Sequence, residues 1–243
     1  SPGFIDMHSH SDLTLLRDPN AESKIHQGVT TEVVGNCGIS MAPVDERTKK
    51  QLIDYVSSLL SVEDISVSWL SFGEYLSFIE GSGVAVNVVP LVGHGTVRIA
   101  AMGFDDRAPS QEDLKRMRSL VQRSIEEGAF GLSSGLIYPP GCYAETQELV
   151  ELCKVVSSLN GIYSTHIRGE GETLLDAVRE AIEIGRQALV PVEISHHKAA
   201  GKPFWGSVKT TLKMIDEAVM GGLDVTCDQY PYTAAWTLSL IHI

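Results

Sequence analysis

The feature that most constrains the fold of this 243-residue chain is a regular alternation of two kinds of segment. Short apolar, β-branched runs alternate with longer stretches whose apolar residues recur at helical spacing, which is typical of a parallel sheet with helical connections. The predicted strands are residues 4–7, 31–34, 84–92, 130–133, 162–166, 190–195 and 223–227. The predicted helices include residues 110–127, 145–159, 173–187 and 208–220.

The predicted strands are nearly unbroken hydrophobic runs, so we expect both faces of the sheet to be covered, as in a (β/α)8 barrel or a doubly wound sheet. Neither of the two glycine-rich phosphate-binding motifs, G-x-G-x-x-G after a strand or G-x-x-x-x-G-K-[ST], occurs, and this disfavours the nucleotide-binding versions of such a sheet. Residues 44–83 are predicted to form a helical insertion after the second strand.

Composition excludes several classes of partner. The net charge of −12 and the pI near 5.0 argue against nucleic acid, whose phosphates require a basic surface. No apolar stretch is long enough to span a membrane, so we expect no membrane partner. The four cysteines are scattered and form no C-x-x-C pair, which favours reduced thiols and a cytoplasmic location.

Metal-binding residue types follow the predicted strands. The first strand runs into "HSH", where His8 and His10 share one face if the chain stays extended, and imidazole is the commonest metal ligand near neutral pH. Because active sites of (β/α)8 barrels lie at the carboxyl ends of the strands, the residues that follow the other strands are also candidates. These are Cys37, His94, Tyr138, His166, Arg168, His196, Lys198, Asp228 and Tyr230.

The sequence predicts a zinc site among these residues. Cys37, as a thiolate, is a soft ligand beside imidazoles, and this donor set favours zinc over magnesium or calcium. In "SHHK", the two-residue period places His196 and Lys198 on one face and His197 on the other, so His196 is the candidate ligand. His26 is expected on a helix, facing solvent.

Seven motifs, in order, resemble the N-acyl-D-amino-acid deacylase (D-aminoacylase) branch of the amidohydrolase superfamily over residues 2–234. They are "PGFIDMHSHSD", "GVTTEVVGNCGISMAP", "VGHGTVR", "IYPP", "THIRGEGE", "ISHHK" and "DQYPY". The run from "GVTT" into "GNCGIS" is the most specific, because this branch uses a cysteine where most of the superfamily uses a carboxylated lysine.

The resemblance implies a zinc enzyme on a (β/α)8 barrel that hydrolyses N-acyl-D-amino acids to a carboxylate and a D-amino acid. It places one tightly bound zinc ion on Cys37, His166 and His196, and a second, weakly bound metal near His8 and His10. The small-molecule substrate is expected near three further residues, of which Lys198 would hold its carboxylate; they are Tyr138, Lys198 and Tyr230. The resemblance assigns no role to His94.

Both ends of the chain depart from the family pattern. The family has a small β-sandwich built from segments before the first barrel strand and after the last, and the aspartate that ends the eighth strand serves as its general base. Both are expected to lie outside this chain, the aspartate beyond Ile243. Residues 1–237 are then a barrel of about seven strands, expected to be neither active nor stable alone. Residues 238–243, "LSLIHI", resemble translated read-through of a sequencing-library transposon end and are expected to be non-native.

Two alternatives remain open. A hydantoinase-like or dihydroorotase-like cyclic amidohydrolase, or a dipeptidase, would use the same barrel, but Cys37 stands where the cyclic amidohydrolases have a lysine. A non-catalytic relative could instead keep the metal site to bind a partner. Metal analysis combined with an amide-hydrolysis assay separates the three.

Overall fold

The computed structural model describes residues 2–12, 14–60 and 67–234, and it contains the alternation of strands and helices that the sequence predicts. The strands are β1 (Phe4–Asp6), β2 (Val29–Val34), β3 (Asn87–Pro90), β4 (Val92–Gly93), β5 (Gly131–Gly135), β6 (Ile162–His166), β7 (Val192–Ile194) and β8 (Val225–Cys227). The helices are α1 (Thr14–Arg17), α2 (Glu22–Ile25), α3 (Lys49–Leu60), α4 (Phe72–Gly81), α5 (His94–Met102), α6 (Gln111–Glu126), α7 (Thr146–Ser158), α8 (Leu174–Ala188) and α9 (Val208–Met220).

Every strand pair in the described residues is parallel, and the spatial order of the strands follows their order in the chain. Strands β1 to β3 form one ladder and β4 to β8 a second. This arrangement confirms the predicted α/β fold with a parallel, barrel-type sheet. Within residues 2–12, 14–60 and 67–234, β1 and β8 are not paired with each other, so the described sheet is an open part of a barrel.

The single strand predicted over residues 84–92 is wrong, because this segment forms β3 and β4. The division falls at Pro90 and Leu91, where the backbone bonds to both neighbouring strands: the Leu91 N–H donates to the Val34 carbonyl of β2 at 2.9 Å, and the Phe130 N–H, directly before β5, donates to the Pro90 carbonyl at 2.8 Å. Proline has no N–H to continue the ladder, so the strand ends there. The two ladders are joined at this point.

Helices α5 to α9 pack against the outer face of the sheet, where one apolar cluster extends from β4 to β8. The inner face of the same strands is polar. Ser133, Ser164 and Glu193 lie side by side in the register of β5, β6 and β7, and the Ser164 hydroxyl donates to the Glu193 carboxylate at 2.9 Å. The apolar layer therefore stabilises the fold, whereas the polar inner face leads to the ends of the strands.

Residues 44–83, the predicted insertion, contain α3 and α4. The Trp69 indole donates to the Met41 carbonyl at 2.8 Å, and a capping box formed by Ser71 and Glu74 begins α4, so this segment is attached to the loop after β2. The predicted tail at 238–243 lies outside the described residues. In the part of the chain that the structure describes, no helix is long and apolar enough to cross a membrane.

Candidate metal centre

Cys37 lies in a tight turn, residues 35–38, directly after β2. Its backbone is left-handed (φ 55°), as are those of Gly35 (78°) and Gly38 (76°). A Cβ atom at Gly35 would lie 2.0 Å from the Leu91 carbonyl oxygen, so only glycine fits there. The Ser133 hydroxyl fixes the turn to β5, since it accepts from the Gly38 N–H at 3.0 Å and donates to the Gly35 carbonyl.

Three imidazoles surround the Cys37 sulfur. Its Sγ atom lies 3.4 Å from His8 Nε2, 3.6 Å from His166 Nδ1 and 3.7 Å from His196 Nε2. Two sets of donor atoms, one from His8, His10 and Cys37 and one from Cys37, His166 and His196, each lie within 4.8 Å of one another. The structure thus brings together all five predicted metal ligands, with Cys37 common to both sets.

The donor chemistry fits a bound cation. A thiol can donate only one hydrogen bond and its sulfur is a weak acceptor, whereas a metal ion can accept one lone pair from each imidazole nitrogen and from the thiolate. The Nδ1 atom of His8 and the Nε2 atom of His166, on the sides of the rings turned away from the sulfur, are buried without a hydrogen-bond partner. The residues present therefore suit a small metal ion at Cys37.

The electrostatics of the site lead to the same conclusion. Burial, assisted by neighbouring imidazoles, lowers the pKa of His10 to about 4 and that of His166 to about 3, so both rings are neutral near pH 7 and their lone pairs can bind metal. Burial also raises the pKa of the Cys37 thiol, and the carboxylates of Glu170 and Asp228 add to this effect. A thiolate here needs a cation beside it.

Lys198 and Tyr230 lie together on the side of His196 that faces away from Cys37. The Lys198 Nζ atom lies 3.2 Å from His196 Nδ1 and 5.6 Å from the centre of the Tyr230 ring. It is also 2.5 Å from Glu170 Oε1, so the predicted substrate anchor already has an internal carboxylate partner. Tyr138 is buried and meets the His166 ring edge-on, 5.0 Å between ring centres.

Glu170 was not predicted from the sequence. Its Oε1 atom lies 3.1 Å from His196 Nδ1 and 3.8 Å from His166 Nε2, in addition to the contact with Lys198. Burial alone would raise its pKa, but His196, His166 and Lys198 lower it to about 2. In the sequence, only its position four residues after His166, in "THIRGEGE", could have pointed to Glu170. Because Glu170 lies in a loop, no helix or strand periodicity predicts where its side chain is directed.

Asp228 follows β8 and contacts two of the same histidines, His196 through its backbone and His8 through its ring. Its Oδ1 atom accepts the His196 backbone N–H at 2.6 Å, and its Oδ2 atom, buried without a hydrogen-bond partner, lies 3.9 Å from His8 Nδ1. The first of these contacts supports the left-handed backbone of His196 (φ 39°). Asp228 therefore holds one candidate ligand in position and approaches another.

His94 does not lie with the metal candidates. It is the first residue of α5 and is fully buried, with its Nε2 atom 2.7 Å from Glu148 Oε1; Arg98 Nε donates to the same oxygen at 3.0 Å. His94 directly follows β4, as predicted, but α5 begins at this residue, and its side chain is directed to Glu148 rather than to the metal candidates. His197, assigned to the opposite face from His196, is buried against α9, with its Nε2 atom 2.9 Å from the Thr211 hydroxyl.

Arg168 is also held away from the metal candidates. Its guanidinium pairs with Glu180 on α8 at 2.9 Å and donates to the carbonyls of Cys142 and Ala144. His26 is the C-cap of α2, directly after its last residue, and is exposed, as predicted.

Strand alternation does not explain how the candidate histidines meet. β1 ends at Asp6 and β7 at Ile194, so His8, His10 and His196 all lie beyond the regular strands. They converge because the chain turns sharply after each strand.

Metal-donor residues gathered where the parallel strands of a barrel end define a metal-binding (β/α)-barrel protein. The particular family follows from the sequence. Residues 1–237 match the sequence pattern that describes the amidohydrolase family, and the chain belongs to that family.

Individual relatives agree with this assignment. The chain is 43% identical to D-aminoacylase of Alcaligenes xylosoxydans xylosoxydans over 98% of its length and 48% of that protein's. It superposes with a TM-score of 0.87 and 41% identity on a D-aminoacylase structure that addresses the role of a binuclear metal centre, covering 96% of this chain and 48% of the other. N-acyl-D-glutamate deacylase from Bordetella bronchiseptica, complexed with zinc and a phosphonate inhibitor, gives a TM-score of 0.87 at 36% identity, covering 95% and 48%. The chain thus spans about half the length of the proteins it matches.

Proposed function

We propose that the protein carrying this chain hydrolyses the amide bond of N-acyl-D-amino acids, releasing a carboxylate and a D-amino acid. The observation that carries the proposal is the Cys37 sulfur at 3.4–3.7 Å from three imidazole nitrogens. Two relatives that are 43% and 40% identical to this chain are named D-aminoacylase and N-acyl-D-aspartate deacylase, which supports the same substrate class.

We infer zinc as the metal from the donor spacing. In a tetrahedral zinc site the Zn–S distance is about 2.3 Å and the Zn–N distance about 2.0–2.1 Å, so sulfur and nitrogen ligands lie about 3.5 Å apart. The observed contacts match this value. Cys37, His166 and His196 would hold the tightly bound ion, and His8 and His10, with Cys37, a weaker second one. When bound, zinc supplies a Lewis acid that polarises the scissile carbonyl and activates water.

The protein's own residues bind and orient the substrate. Lys198 is proposed to pair with the substrate carboxylate, which must then share or replace the contact of Lys198 with Glu170. Tyr138, edge-on to His166, and Tyr230, beside Lys198, are proposed to line the substrate. The general base is still predicted to be the aspartate beyond Ile243; if a variant of that residue retains activity, Asp228 is the first residue in this chain to test, because its Oδ2 atom has no hydrogen-bond partner. A cytoplasmic location is proposed, since Cys37 must remain reduced to bind metal.

The test uses the full-length protein that carries this sequence. We expect about one tightly bound zinc per chain and hydrolysis of an N-acetyl-D-amino acid, with the L-isomer cleaved much more slowly. Hydrolysis of hydantoin or dihydroorotate instead would favour a cyclic amidohydrolase. Zinc binding without any amide hydrolysis would refute the proposal and favour a non-catalytic metal-binding relative.

A further inference from the structure

Two of the three imidazoles around Cys37, those of His166 and His196, direct their second nitrogen atom toward the same carboxylate. His196 turns Nε2 toward the sulfur and Nδ1 toward Glu170, and His166 turns Nδ1 toward the sulfur and Nε2 toward the same carboxylate. One carboxylate therefore lies behind two of the three candidate ligands of the tightly bound metal.

We propose that Glu170 is a positioning residue that fixes His196 for metal binding and connects the metal centre to Lys198. The proposal rests on the proposed function for the role of Lys198, but its metal-binding part can be tested without any substrate.

The chemistry of histidine gives the reason. A neutral imidazole binds metal through one nitrogen and carries its proton on the other, and a carboxylate acceptor at that second nitrogen selects the tautomer and orients the ring. Glu170 Oε1, at 3.1 Å from His196 Nδ1, accepts this proton and leaves the Nε2 lone pair directed at the site of Cys37. The Glu170 contact with His166, at 3.8 Å, is longer and contributes less.

Glu170 is itself held in place from two directions. The Lys198 ammonium lies 2.5 Å from its Oε1 atom, and the Ala200 backbone N–H donates to its main-chain carbonyl at 2.7 Å. These contacts tie the loop after β6 to the loop after β7. Lys198 therefore serves two carboxylates, that of Glu170 and, by proposal, that of the substrate.

The connection to Lys198 predicts a split between metal affinity and substrate affinity. Without the Glu170 charge, His196 is less well oriented and zinc binds more weakly. The Lys198 ammonium, however, loses its internal partner and becomes more available, so KM at saturating zinc should fall or stay unchanged. A general distortion of the site would instead raise KM.

The metal-binding test compares Glu170→Gln with the parent in the full-length protein. Competition with a chromogenic chelator should show zinc bound 10–100-fold more weakly, the usual effect of removing such an outer carboxylate. Glu172→Gln is the matched control: this exposed residue lies two positions away in the same loop, and zinc affinity should not change. Glu170→Gln with zinc affinity within about threefold of the parent would overturn the proposal.

A second variant separates positioning from general damage. Lys198→Met removes one of the two contacts that hold Glu170, but the Ala200 N–H still holds its main chain and the carboxylate still has His196 as a partner, so zinc affinity should stay within about threefold of the parent, and in the cobalt-substituted protein the visible absorption from the Cys37 sulfur should keep its shape. In Glu170→Gln that absorption should change. Equal weakening of zinc by both variants would show that the loop is merely disturbed and would overturn the proposal. Absence of deacylase activity in the parent would refute the proposed function, whereas the zinc results would stand.

Discussion

Replacement of Cys37 by alanine tests the metal centre most directly. Cys37 is the one donor shared by both candidate ligand sets and, when ionised, the only anionic ligand in either. A four-ligand zinc site binds with about 10–16 kcal/mol, so an equal share for each ligand is about 2.5–4 kcal/mol. Loss of the thiolate should therefore weaken zinc roughly 10²–10³-fold.

The assay is elemental analysis after dialysis, followed by chelator competition. The parent should retain about one zinc per chain and Cys37→Ala essentially none. Alanine keeps the Cβ atom at this left-handed position, so the turn after β2 should be unchanged. Cys153→Ala is the matched control: Cys153 is also fully buried, but it lies in α7, and zinc should be retained. Undiminished zinc in Cys37→Ala would refute the assignment, whereas serine at this position is a weaker test because its hydroxyl can partly replace the sulfur.

Three further outcomes are expected in the full-length protein. Lys198→Ala should lower kcat/KM about 10–150-fold, the equivalent of about 1.5–3 kcal/mol for a charged hydrogen bond; if the variant still discriminates strongly between the free acid and its amide, another residue holds the carboxylate. Glu148→Gln should lower the free energy of unfolding by about 3–5 kcal/mol at pH 7. Burial alone would raise the Glu148 pKa, but His94 and Arg98 on α5 lower it. The stability that Glu148 contributes is therefore present above about pH 4.5 and is lost as the pH falls further. Chemical denaturation that shows the same difference between variant and parent at pH 7 and well below pH 4.5 would contradict this. Zinc uptake near pH 7 should release about one proton per ion, from the Cys37 thiol, and calorimetry in buffers of different ionisation enthalpy that shows no release would exclude the thiol as a ligand.

Periodicity predicted much of the fold, because the elements themselves carry the signal. The helix predicted over residues 208–220 has the same bounds in the structure, and α6 begins one residue after its predicted start, since Ser110 is the N-cap and accepts the Asp113 N–H. The break between β3 and β4 was not predictable, because it depends on which neighbouring strand each backbone group meets, and the hydrophobic run through residues 84–92 carries no information about that.

The candidate site was predictable in composition but not in its connections. Five donor residues, four histidines and one cysteine, could be read from the positions after strands, and the structure brings them together. The direction in which each side chain points depends on turns, such as the left-handed residues at Cys37 and His196, that strand alternation does not describe. Glu170 and Lys198 are 28 positions apart, in two different loops, so their contact could be found only from the fold. His94 shows the converse, since a histidine that follows a strand can equally well begin a helix.

The sequence separation of the metal donors has a consequence for how the protein matures. The contacts of Cys37 with His166 and His196 span 129 and 159 positions, so the donors meet only after β2, β6 and β7 have taken their places. Such distant pairings form late in folding, because closing long stretches of chain opposes them. The proposed zinc ion would therefore be loaded late, onto assembled chains, and by binding the assembled form more tightly it would draw the population toward that form. The zinc content of a preparation would then measure the fraction of molecules in which the barrel has been completed.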